Sequence, residues 1–501
     1  MVKIPSELSD SGAAAAPQPN MEAMLLRAIG TELADKIIPA LTCGDAIDRA
    51  QLAKLIAENL AADLDVQPLI AARLAPLMRN ALETVLRADG LASRAPAMQV
   101  FADELRRTPE QVDALRNLAA RVLRFLADHS GSQAARESIA TLGRIDAQWL
   151  TDYAAAATRS AAPKARERST DADATAGPTL DTDRVTQYLR RRFPAEQSIE
   201  ATGLVRVPGG RSKLTYFLQL RGTSLFPAEL VIRQDYALKY AGTKIIDEHP
   251  LLLALAQRGL PVPRPLHLEA QPSELGPPFM FVSRLSGKPP GTYFGMAGTA
   301  PGAFRELAAV LAQLHRIEAP ALGLPAPQPG VDQMAGVIGQ YQQKWRANAT
   351  RASPAIDFAY AWAAQKCREA PGGTACVHGD CGPYNFLVDQ DRLSAILDWE
   401  FAHVGDPAED LGIARNYAEG SIPWTEFMDV YRANGGPTVS EARVQLGMLT
   451  QFLKGTTLVA ASGRNYLEGG TREFVKGANA FTGLRLIEQR IAALLHSFGA
   501  T

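Results

Sequence analysis

The segment at residues 158–182, TRSAAPKARERSTDADATAGPTLDT, divides the chain into two parts with different periodicity. It is rich in small and charged residues and poor in large apolar ones, which is typical of a flexible linker. Before it, residues 21–157 have apolar side chains at spacings of three and four, which predicts an all-α N-terminal domain. A length of 501 residues also favours several domains, since single cores stop growing near about 250–300 residues.

The part after the linker begins with strand patterns and continues with helical ones. The segments GLVRVPGGRSKLTYFLQLRG, AELVIRQD and PFMFVSRLSG predict strands, whereas IIDEHPLLLALAQRGL and AFRELAAVLAQLHRIE predict helices. We therefore expect an α+β arrangement with a small sheet lobe at 183–287 and a larger helical lobe at 288–501. A disordered tail is expected at 1–20.

Composition excludes several classes of partner. The 52 basic and 53 acidic residues nearly cancel, so neither nucleic acid nor an anionic membrane surface is an expected partner. Four cysteines do not make a disulfide framework and suit a reducing compartment. The chain has neither a signal-peptide apolar region at its start nor a run of about 18 apolar residues. We expect a cytoplasmic protein without a membrane segment.

Residues 376–412, CVHGDCGPYNFLVDQDRLSAILDWEFAHVGDPAEDLG, concentrate polar side chains in an apolar chain. One hypothesis is a metal–thiolate site built from Cys376, His378 and Cys381. Structural zinc normally needs four ligands in paired spacing, and Cys367 is the one nearby addition. Cys376 also lies within the apolar, strand-like run TACV, where a small buried side chain is usual. The thiol hypothesis is therefore the weaker of two.

The second hypothesis is a phosphoryl-transfer site. Asp380 lies on a loop, and NFLVDQDRLSAILDW predicts a hairpin with a two-residue turn at QD. That turn would place Asn385 opposite Ile396, two residues from Asp398. Amide and carboxylate oxygens suit Mg²⁺, and Asp380 remains to accept a proton from a hydroxyl. Asp406 in GDPAEDLG predicts a helix N-cap, and a further hypothesis is that it orients the catalytic loop.

These motifs, HGDCGPYN and ILDWEFAHVGDPAEDL together with the upstream lobe, resemble the aminoglycoside phosphotransferase and choline kinase-like family. The resemblance covers roughly Asp183 to the C-terminus and implies a bilobal protein-kinase-like fold that uses ATP or GTP and Mg²⁺. It implies that Asp380 is the catalytic base and that Asn385 and Asp398 bind the metal. His378 is expected to support the loop.

The same resemblance assigns roles in the sheet lobe. Arg233 in VIR takes the place of the cation that holds nucleotide phosphates, and Glu248 that of its helix partner. Lysine is the wider kinase pattern, but a guanidinium also binds phosphate in a bidentate way. The alternative for Arg233 is a plain exposed strand residue.

The glycine-containing turn in VPGGRSKLTY is similar to the turn that covers the phosphates. Gly209 and Gly210 would allow close backbone approach, and Ser212 could donate a hydrogen bond. A simple hairpin explains the two glycines equally well. The backbone from Ser283 to Leu285 resembles the hinge that contacts adenine.

Within the family, VIR, GLPVPRPL, LAQLHRIE and ILDWEFAHVGDPAEDLG resemble the kinase-like domain of certain acyl-CoA dehydrogenases, which is implicated in phosphorylating hydroxylated acyl substrates. The helical lobe after Gly412 is mixed in charge and makes no trap for a polycation. We therefore expect a small hydroxylated acceptor, a hydroxy acid or hydroxyacyl-CoA, with Arg464 as a candidate anion contact. Other candidates in that lobe are Trp424, Tyr431, Asn465 and Tyr466.

Two other functions remain open. One is an aminoglycoside phosphotransferase, and the other is a catalytically silent nucleotide-binding pseudokinase whose helical domain recruits a partner. The N-terminal helices at residues 21–157 carry no identifiable chemistry. We expect them to form a homodimer or to contact a protein partner, and capping the kinase or an inert module are the alternatives.

Overall fold

The computed structural model describes residues 21–41, 44–88, 95–129, 131–160, 180–207, 213–235, 244–293, 295–328, 330–468 and 474–500. Of the predicted linker at 158–182, residues 161–179 lie outside this set, as does the predicted tail at 1–20. The searched helices of the described residues include none that is both long and apolar enough to cross a membrane.

The N-terminal part is helical, as its periodicity predicts. Its helices are α1 Met21–Glu32, α2 Gly44–Leu86, α3 Ala95–Arg107, α4 Val112–His129 and α5 Gln133–Ser160, with short π and 3₁₀ turns at Leu33–Ile37 and Ile38–Ala40. Helix α4 shows why such segments fold, since its buried face repeats every three or four residues through Leu115, Leu118, Val122 and Leu126.

The small lobe is a five-stranded antiparallel sheet in the order β1-β2-β3-β5-β4. Its elements are α6 Thr182–Arg192, β1 Glu200–Val207, β2 Lys213–Arg221, β3 Glu229–Asp235, α7 Ile245–Gln257, β4 Pro265–Glu269 and β5 Phe279–Ser283. Alternation along β5 separates the two faces. Phe279 and Phe281 pack in a core with α6, whereas Met280 and Val282 pack in a second core with α7. The sheet is therefore covered on both faces.

The large lobe is mainly helical. Its elements are β6 Gly291–Thr292, β7 Gly295–Met296, α8 Pro301–Leu314, α9 Gln333–Asn348, α10 Pro354–Glu369, β8 Ala375–Val377, β9 Phe386–Asp389, β10 Arg392–Ile396, β11 His403–Gly405, α11 Pro407–Ala418, α12 Trp424–Ala433, α13 Glu441–Leu467 and α14 Phe474–Ser497, with 3₁₀ turns at Ala319–Leu322 and Trp399–Phe401. The expected α+β, two-lobed kinase-like fold behind an all-α region is confirmed.

The hairpin of β9 and β10 has the predicted turn but not the predicted register. Gln390 and Asp391 adopt positive φ angles of 48° and 66°, as a two-residue primed turn requires. A β-bulge between Leu393 and Ala395 then shifts the pairing, so that Ile396 lies opposite Phe386 rather than Asn385. The backbone of Asn385 instead meets the residue next to Asp398.

The N-terminal helices share one hydrophobic core with the helical lobe. Leu82 and Val122 belong to the same buried cluster as Trp345 and Ile487. Helix α5 approaches α10 closely at Gly143, where an added Cβ would lie 2.2 Å from the ring of Phe358. The N-terminal helices therefore cap the helical lobe. The expected homodimer or protein partner stays a prediction.

Buried charges also cross this interface. Arg116 Nε donates to Asp146 Oδ1 at 2.5 Å, and Asp146 Oδ2 accepts from the backbone N–H of Ala355 on α10 at 2.9 Å. Arg124 on α4 donates to Asp357 on α10 at 2.8 Å. Because unpaired buried charges are costly, these pairs specify how the helices dock.

Asp146→Ala should destabilise the whole protein, because it leaves the Arg116 guanidinium buried without its closest partner. Removing one member of a buried ion pair typically costs about 3–5 kcal/mol. Glu137→Ala on the exposed face of α5 is the matched control and should change stability by less than about 0.5 kcal/mol. Urea unfolding followed by circular dichroism measures both. Equal stabilities for the two variants would show that the interface does not depend on this pair.

His403 on β11 makes stability depend on alkaline pH. Burial opposes its charge, but the nearby Glu409 carboxylate and the Phe401 carbonyl outweigh burial and raise the pKa of His403 to about 9. The folded state thus binds a proton that the unfolded chain, with a His pKa of about 6.5, releases earlier. The contribution is complete below pH 6.5 and is lost as the pH rises through 9.

The free energy of unfolding should therefore decrease less between pH 6.5 and about 9 in His403→Gln than in the unchanged protein. Urea midpoints at pH 6, 7.5 and 9.5 for both proteins measure the difference. A difference between the two that is constant across these values would contradict the assigned proton.

Candidate active site

The loop after β8 is shaped by one glycine and one buried carboxylate. Gly379 has a φ of 74°, and a Cβ there would lie 2.7 Å from the carbonyl oxygen of Phe401. The Asp410 side chain accepts the backbone N–H groups of His378 and Gly379, each at 2.8 Å. His315 Nε2 lies 3.1 Å from the same carboxylate. Burial alone would raise the pKa of Asp410, but the hydrogen bond from His315 and the electrostatic interactions with His315 and His378 lower it.

Asp406 has the N-cap position that the sequence predicts. Its carboxylate caps α11 by accepting from the Ala408 N–H at 2.8 Å, and Glu409 completes a capping box. Its other oxygen accepts from Arg443 Nε at 2.9 Å. The predicted N-cap is confirmed, but the contacts that hold the catalytic loop are made by Asp410. The acids of one first helical turn are alike in sequence, which is why the two could not be told apart.

His378 links the loop to the segment that leads into Asp398. Its ring is fully buried, with Nδ1 accepting from the Asp380 N–H at 3.1 Å and Nε2 2.8 Å from the carbonyl oxygen of Leu397. An Nδ1 acceptor requires that Nε2 carries the hydrogen. Trp399 packs against the ring with centroids 4.6 Å apart. This is the supporting place that was expected for His378.

Asp380 and Asn385 face each other across the loop. The Asn385 amide nitrogen donates to both the main-chain oxygen and Oδ2 of Asp380, at 2.9 and 2.8 Å. Because the NH₂ group is turned toward Asp380, the side-chain carbonyl oxygen of Asn385 is left to bind a ligand. Leu397 N–H donates to the Asn385 carbonyl at 2.7 Å, which brings Asp398 next to Asn385 in the fold.

Asp398, Arg233 and Glu248 form a chain of charges between the lobes. Arg233 Nη2 lies 3.1 Å from Asp398 Oδ1 and 3.2 Å from Glu248 Oε1. Burial would lower the pKa of Arg233, but the two carboxylates raise it. Burial raises the pKa of Glu248, and Arg233 offsets part of that rise. The expected Arg233–Glu248 pair is present in the geometry, and the exposed-strand alternative does not fit a buried guanidinium.

Asn385 and Asp398 fit a magnesium site. Asp398 has a positive φ of 62° and a side chain that is 33% exposed, so its carboxylate is accessible at the cleft. No group of three His, Cys, Asp or Glu side chains in the described ranges could enclose a metal by itself. Mg²⁺ usually takes one or two protein oxygens and completes its shell with water and phosphates, and Asn385 and Asp398 offer oxygens of this kind.

Only some of the residues expected to bind the nucleotide lie within the described part of the chain. Gly209, Gly210 and Ser212 lie outside the described residues. At the expected hinge, the Ser283 N–H donates to the carbonyl oxygen of Arg264 at 2.9 Å. The contact of a base with the backbone from Ser283 to Leu285 stays a prediction. Just beyond, the backbones of Lys288 and Val388 exchange hydrogen bonds of 3.0 and 2.9 Å. This contact joins the hinge segment to the hairpin.

On the other side of Asp380, five side chains form a wall that the sequence did not reveal, namely Tyr293, Tyr384, Tyr417, Gln451 and Lys454. Tyr384 OH donates to Asp380 Oδ1 at 3.1 Å, and Lys454 Nζ from α13 contacts the same oxygen. Gln451 Nε2 donates to Tyr417 OH at 2.7 Å, and the rings of Tyr293 and Tyr384 have centroids 5.7 Å apart. Burial, followed by the Asp380 charge, raises the pKa of Tyr384.

Three of the acceptor candidates named from sequence contact residues outside this wall. Arg464 pairs with Glu468 at 3.0 Å near the end of α13. Tyr431 is buried and its hydroxyl lies 2.7 Å from His315 Nδ1, while Trp424 stacks on Phe427. Aromatic residues of helices cannot be assigned to a pocket or a core by periodicity alone.

The described cysteines do not form a metal site. Cys367, Cys376 and Cys381 are buried free thiols. Cys376 Sγ donates to the Ile317 carbonyl at 3.3 Å and Cys381 Sγ to that of Asp410 at 3.4 Å. Burial, with a smaller effect of Glu318, raises the pKa of Cys376 to about 11, which disfavours the thiolate that zinc requires. The thiols act as small buried side chains.

Comparison with known proteins identifies a family for residues 203–445. Residues 203–445 match the model of the phosphotransferase enzyme family. Acyl-CoA dehydrogenase family member 11 of Rattus norvegicus is 28% identical over 234 residues, which are 45% of this chain and 29% of that protein. Family member 10 of Mus musculus is 26% identical over 42% of this chain and 20% of its own length. The chain thus spans less than a third of these curated relatives.

The solved structures that resemble this chain include a macrolide phosphotransferase and a choline/ethanolamine kinase family protein. Macrolide 2′-phosphotransferase MphH of Brachybacterium faecium is 22% identical, with 60% of this chain and 97% of that chain covered and a TM-score of 0.43. A choline/ethanolamine kinase family protein of Mesorhizobium loti is 18% identical, with 63% and 99% covered and a TM-score of 0.40. By the match to the family model, residues 203–445, which contain the site around Asp380, form a domain of the phosphotransferase enzyme family.

Proposed function

We propose that the chain is a nucleotide-dependent phosphotransferase that phosphorylates a hydroxyl group of a small molecule, with ATP or GTP as the donor. The observation that carries this proposal is the pairing of Asp380 with Asn385 beside Asp398. One group can accept a proton and the other two can hold Mg²⁺, which are the parts that phosphoryl transfer needs.

Each residue has a separate task in this proposal. Arg233 would hold nucleotide phosphates while Glu248 keeps the guanidinium in place. Asn385 and Asp398 would bind Mg²⁺, which supplies positive charge to the phosphates when it is bound. Asp380 accepts the proton of the attacking hydroxyl. The hydrogen bonds that Asp410 accepts from the loop backbone hold Asp380 in position for that step.

A catalytically silent pseudokinase is the alternative of another class. The presence of all three polar groups, Asp380, Asn385 and Asp398, favours an enzyme, because a decayed site has usually lost one of them. The buried network around Asp380 supports the same conclusion. A buried carboxylate that had no function would lower the stability of the fold.

For the acceptor, we infer a neutral or anionic hydroxyl compound, either a hydroxy acid or a hydroxyacyl-CoA. In the wall formed by Tyr293, Tyr384, Tyr417, Gln451 and Lys454, no side chain is acidic. Lys454 also offsets the charge of Asp380. A polycationic aminoglycoside would gain little attraction there. The names of the acyl-CoA dehydrogenase family relatives support an acyl acceptor.

Asp380→Asn should reduce turnover to a small residual rate while nucleotide binding stays nearly unchanged. Loss of a general base typically costs about 10²–10⁴ in rate, whereas the Asn side chain keeps the shape of the loop. The measurements are nucleotide consumption with Mg²⁺ present and nucleotide affinity by calorimetry. Asp389→Asn, at an exposed position of the same hairpin, is the matched control and should retain full activity. Tight nucleotide binding without turnover by the unchanged protein, across hydroxylated acceptors of every class, would favour the pseudokinase.

The acceptor proposal predicts the outcome of an ATP- and GTP-consumption screen at low salt. Hydroxy acids and their CoA thioesters should be turned over in preference to choline-like amines, sugars and aminoglycosides, because the wall around Asp380 lacks the carboxylates that bind polycations. The measure is kcat/KM for each compound. Robust turnover of an aminoglycoside with none of any hydroxyacyl compound would refute this acceptor.

A further inference from the structure

Lys454 is a buried cation in contact with the group proposed as the catalytic base. Its side chain is 5% exposed, in the middle of α13, and Nζ donates to the Gly379 carbonyl oxygen at 2.8 Å and to Asp380 Oδ1. Nζ also lies 4.3 Å from the ring centroid of Phe401. An ammonium has three hydrogens to donate, and these three neighbours account for them.

The two carboxylate oxygens of Asp380 accept hydrogen bonds from different groups. Oδ1 accepts from Lys454 and from the Tyr384 hydroxyl, and Oδ2 accepts from the Asn385 amide. A carboxylate offers about four lone-pair positions, two on each oxygen. The contacts of the described residues thus fill both positions of Oδ1 and leave one on Oδ2. The proton of an acceptor hydroxyl would therefore go to Oδ2.

Stability alone does not explain a lysine at this position. Neighbouring residues of α13 such as Leu449 and Leu453 are buried and apolar, and an apolar side chain would fill the same space. A buried ion pair is often no more stable than well-packed apolar residues of similar volume. The geometry, by contrast, gives Lys454 a specific effect, because it holds one oxygen of Asp380 and the backbone of the residue before it.

We propose that Lys454 is a positioning residue for phosphoryl transfer that locks Oδ1 of Asp380, so that Oδ2 receives the acceptor proton. This role rests on the proposed function. In the step, the acceptor O–H bond breaks and its proton goes to Oδ2 while the acceptor oxygen bonds to the γ-phosphorus. The bond between that phosphorus and the β,γ-bridging oxygen breaks, and its electron pair leaves with the nucleoside diphosphate.

Lys454→Met is the test variant, because methionine keeps the length of the side chain and removes its charge. We expect kcat to fall about 100-fold, since a misplaced catalytic group commonly costs about that much, with the KM and affinity for nucleotide within about twofold. Lys344→Met, at an exposed lysine of α9, is the control and should have unchanged kcat. Steady-state kinetics, calorimetry and melting temperatures are measured on the full chain.

A double variant separates positioning from a merely structural role. If Lys454 acts through Asp380, then Lys454→Met should reduce the residual rate of Asp380→Asn by less than about threefold, because the group it positions has been removed. Additive losses in the double variant, or an unchanged kcat in Lys454→Met, would refute the role. Absence of turnover by the unchanged protein would instead remove the proposed function, and this role with it.

Tyr384→Phe keeps the inference testable if Lys454→Met does not fold. It removes the second donor to Oδ1 without leaving a charge unpaired. We expect a smaller fall in kcat, about tenfold, with the nucleotide affinity unchanged, and no further fall when Tyr384→Phe is combined with Asp380→Asn. A kcat equal to that of the unchanged protein would show that the placement of Oδ1 does not matter.

Discussion

The hydrogen bonds that the Asp410 carboxylate accepts from the backbone of the loop before Asp380 are the constraint on which the site depends. Asp410 is buried, and it accepts the N–H groups of His378 and Gly379. Those two residues in turn determine where Asp380 lies, because His378 accepts the Asp380 N–H and Gly379 provides the left-handed backbone. Helix α11 thus holds the loop from behind, and Asp380 has little freedom to move.

A second constraint is the balance of charge in a cleft between the lobes. Arg233 bridges Glu248 and Asp398, and Lys454 faces Asp380, so each buried or partly buried acid has a cation beside it. Such pairing is required where water is excluded. The same arrangement serves the proposed reaction, because the groups that would meet phosphate, Mg²⁺ and the acceptor hydroxyl are already ordered. Binding would exchange partners among these charges and would not need a new site to be built.

The N-terminal helices add support from the opposite side. Their core is continuous with that of the helical lobe, and the Arg124–Asp357 ion pair and the hydrogen bond from the Ala355 N–H to Asp146 cross the boundary. Helix α10, which provides both Asp357 and the Ala355 N–H, also packs on α13 through Tyr360, whose hydroxyl donates to the Leu453 carbonyl at 3.1 Å. Leu453 precedes Lys454 in the chain. The N-terminal helices therefore contact α10, which in turn contacts the backbone of α13 next to Lys454.

The sequence by itself determined the elements and the loop motif. Periodicity of three and four identified the N-terminal helices, alternation identified the strands of the small lobe, and the spacing of Asp380, Asn385 and Asp398 identified the polar set. These features are local, so a few neighbouring residues are enough to specify them. Even there, the bulge in the hairpin shifted the register by one residue, because β-bulges leave no clear mark in a short strand.

Only the tertiary structure decided which residues complete the site. Lys454 comes 74 residues after Asp380, and Asp410 is one of several acids at the start of a helix. Nothing in the local pattern of α13 distinguishes a lysine that faces Asp380 from a solvated one. The sharing of a core by the N-terminal helices and the helical lobe was equally hidden, because amphipathic helices show that they have a partner but not which one. Long-range packing chooses the partner through shape and buried charge, and periodicity records neither.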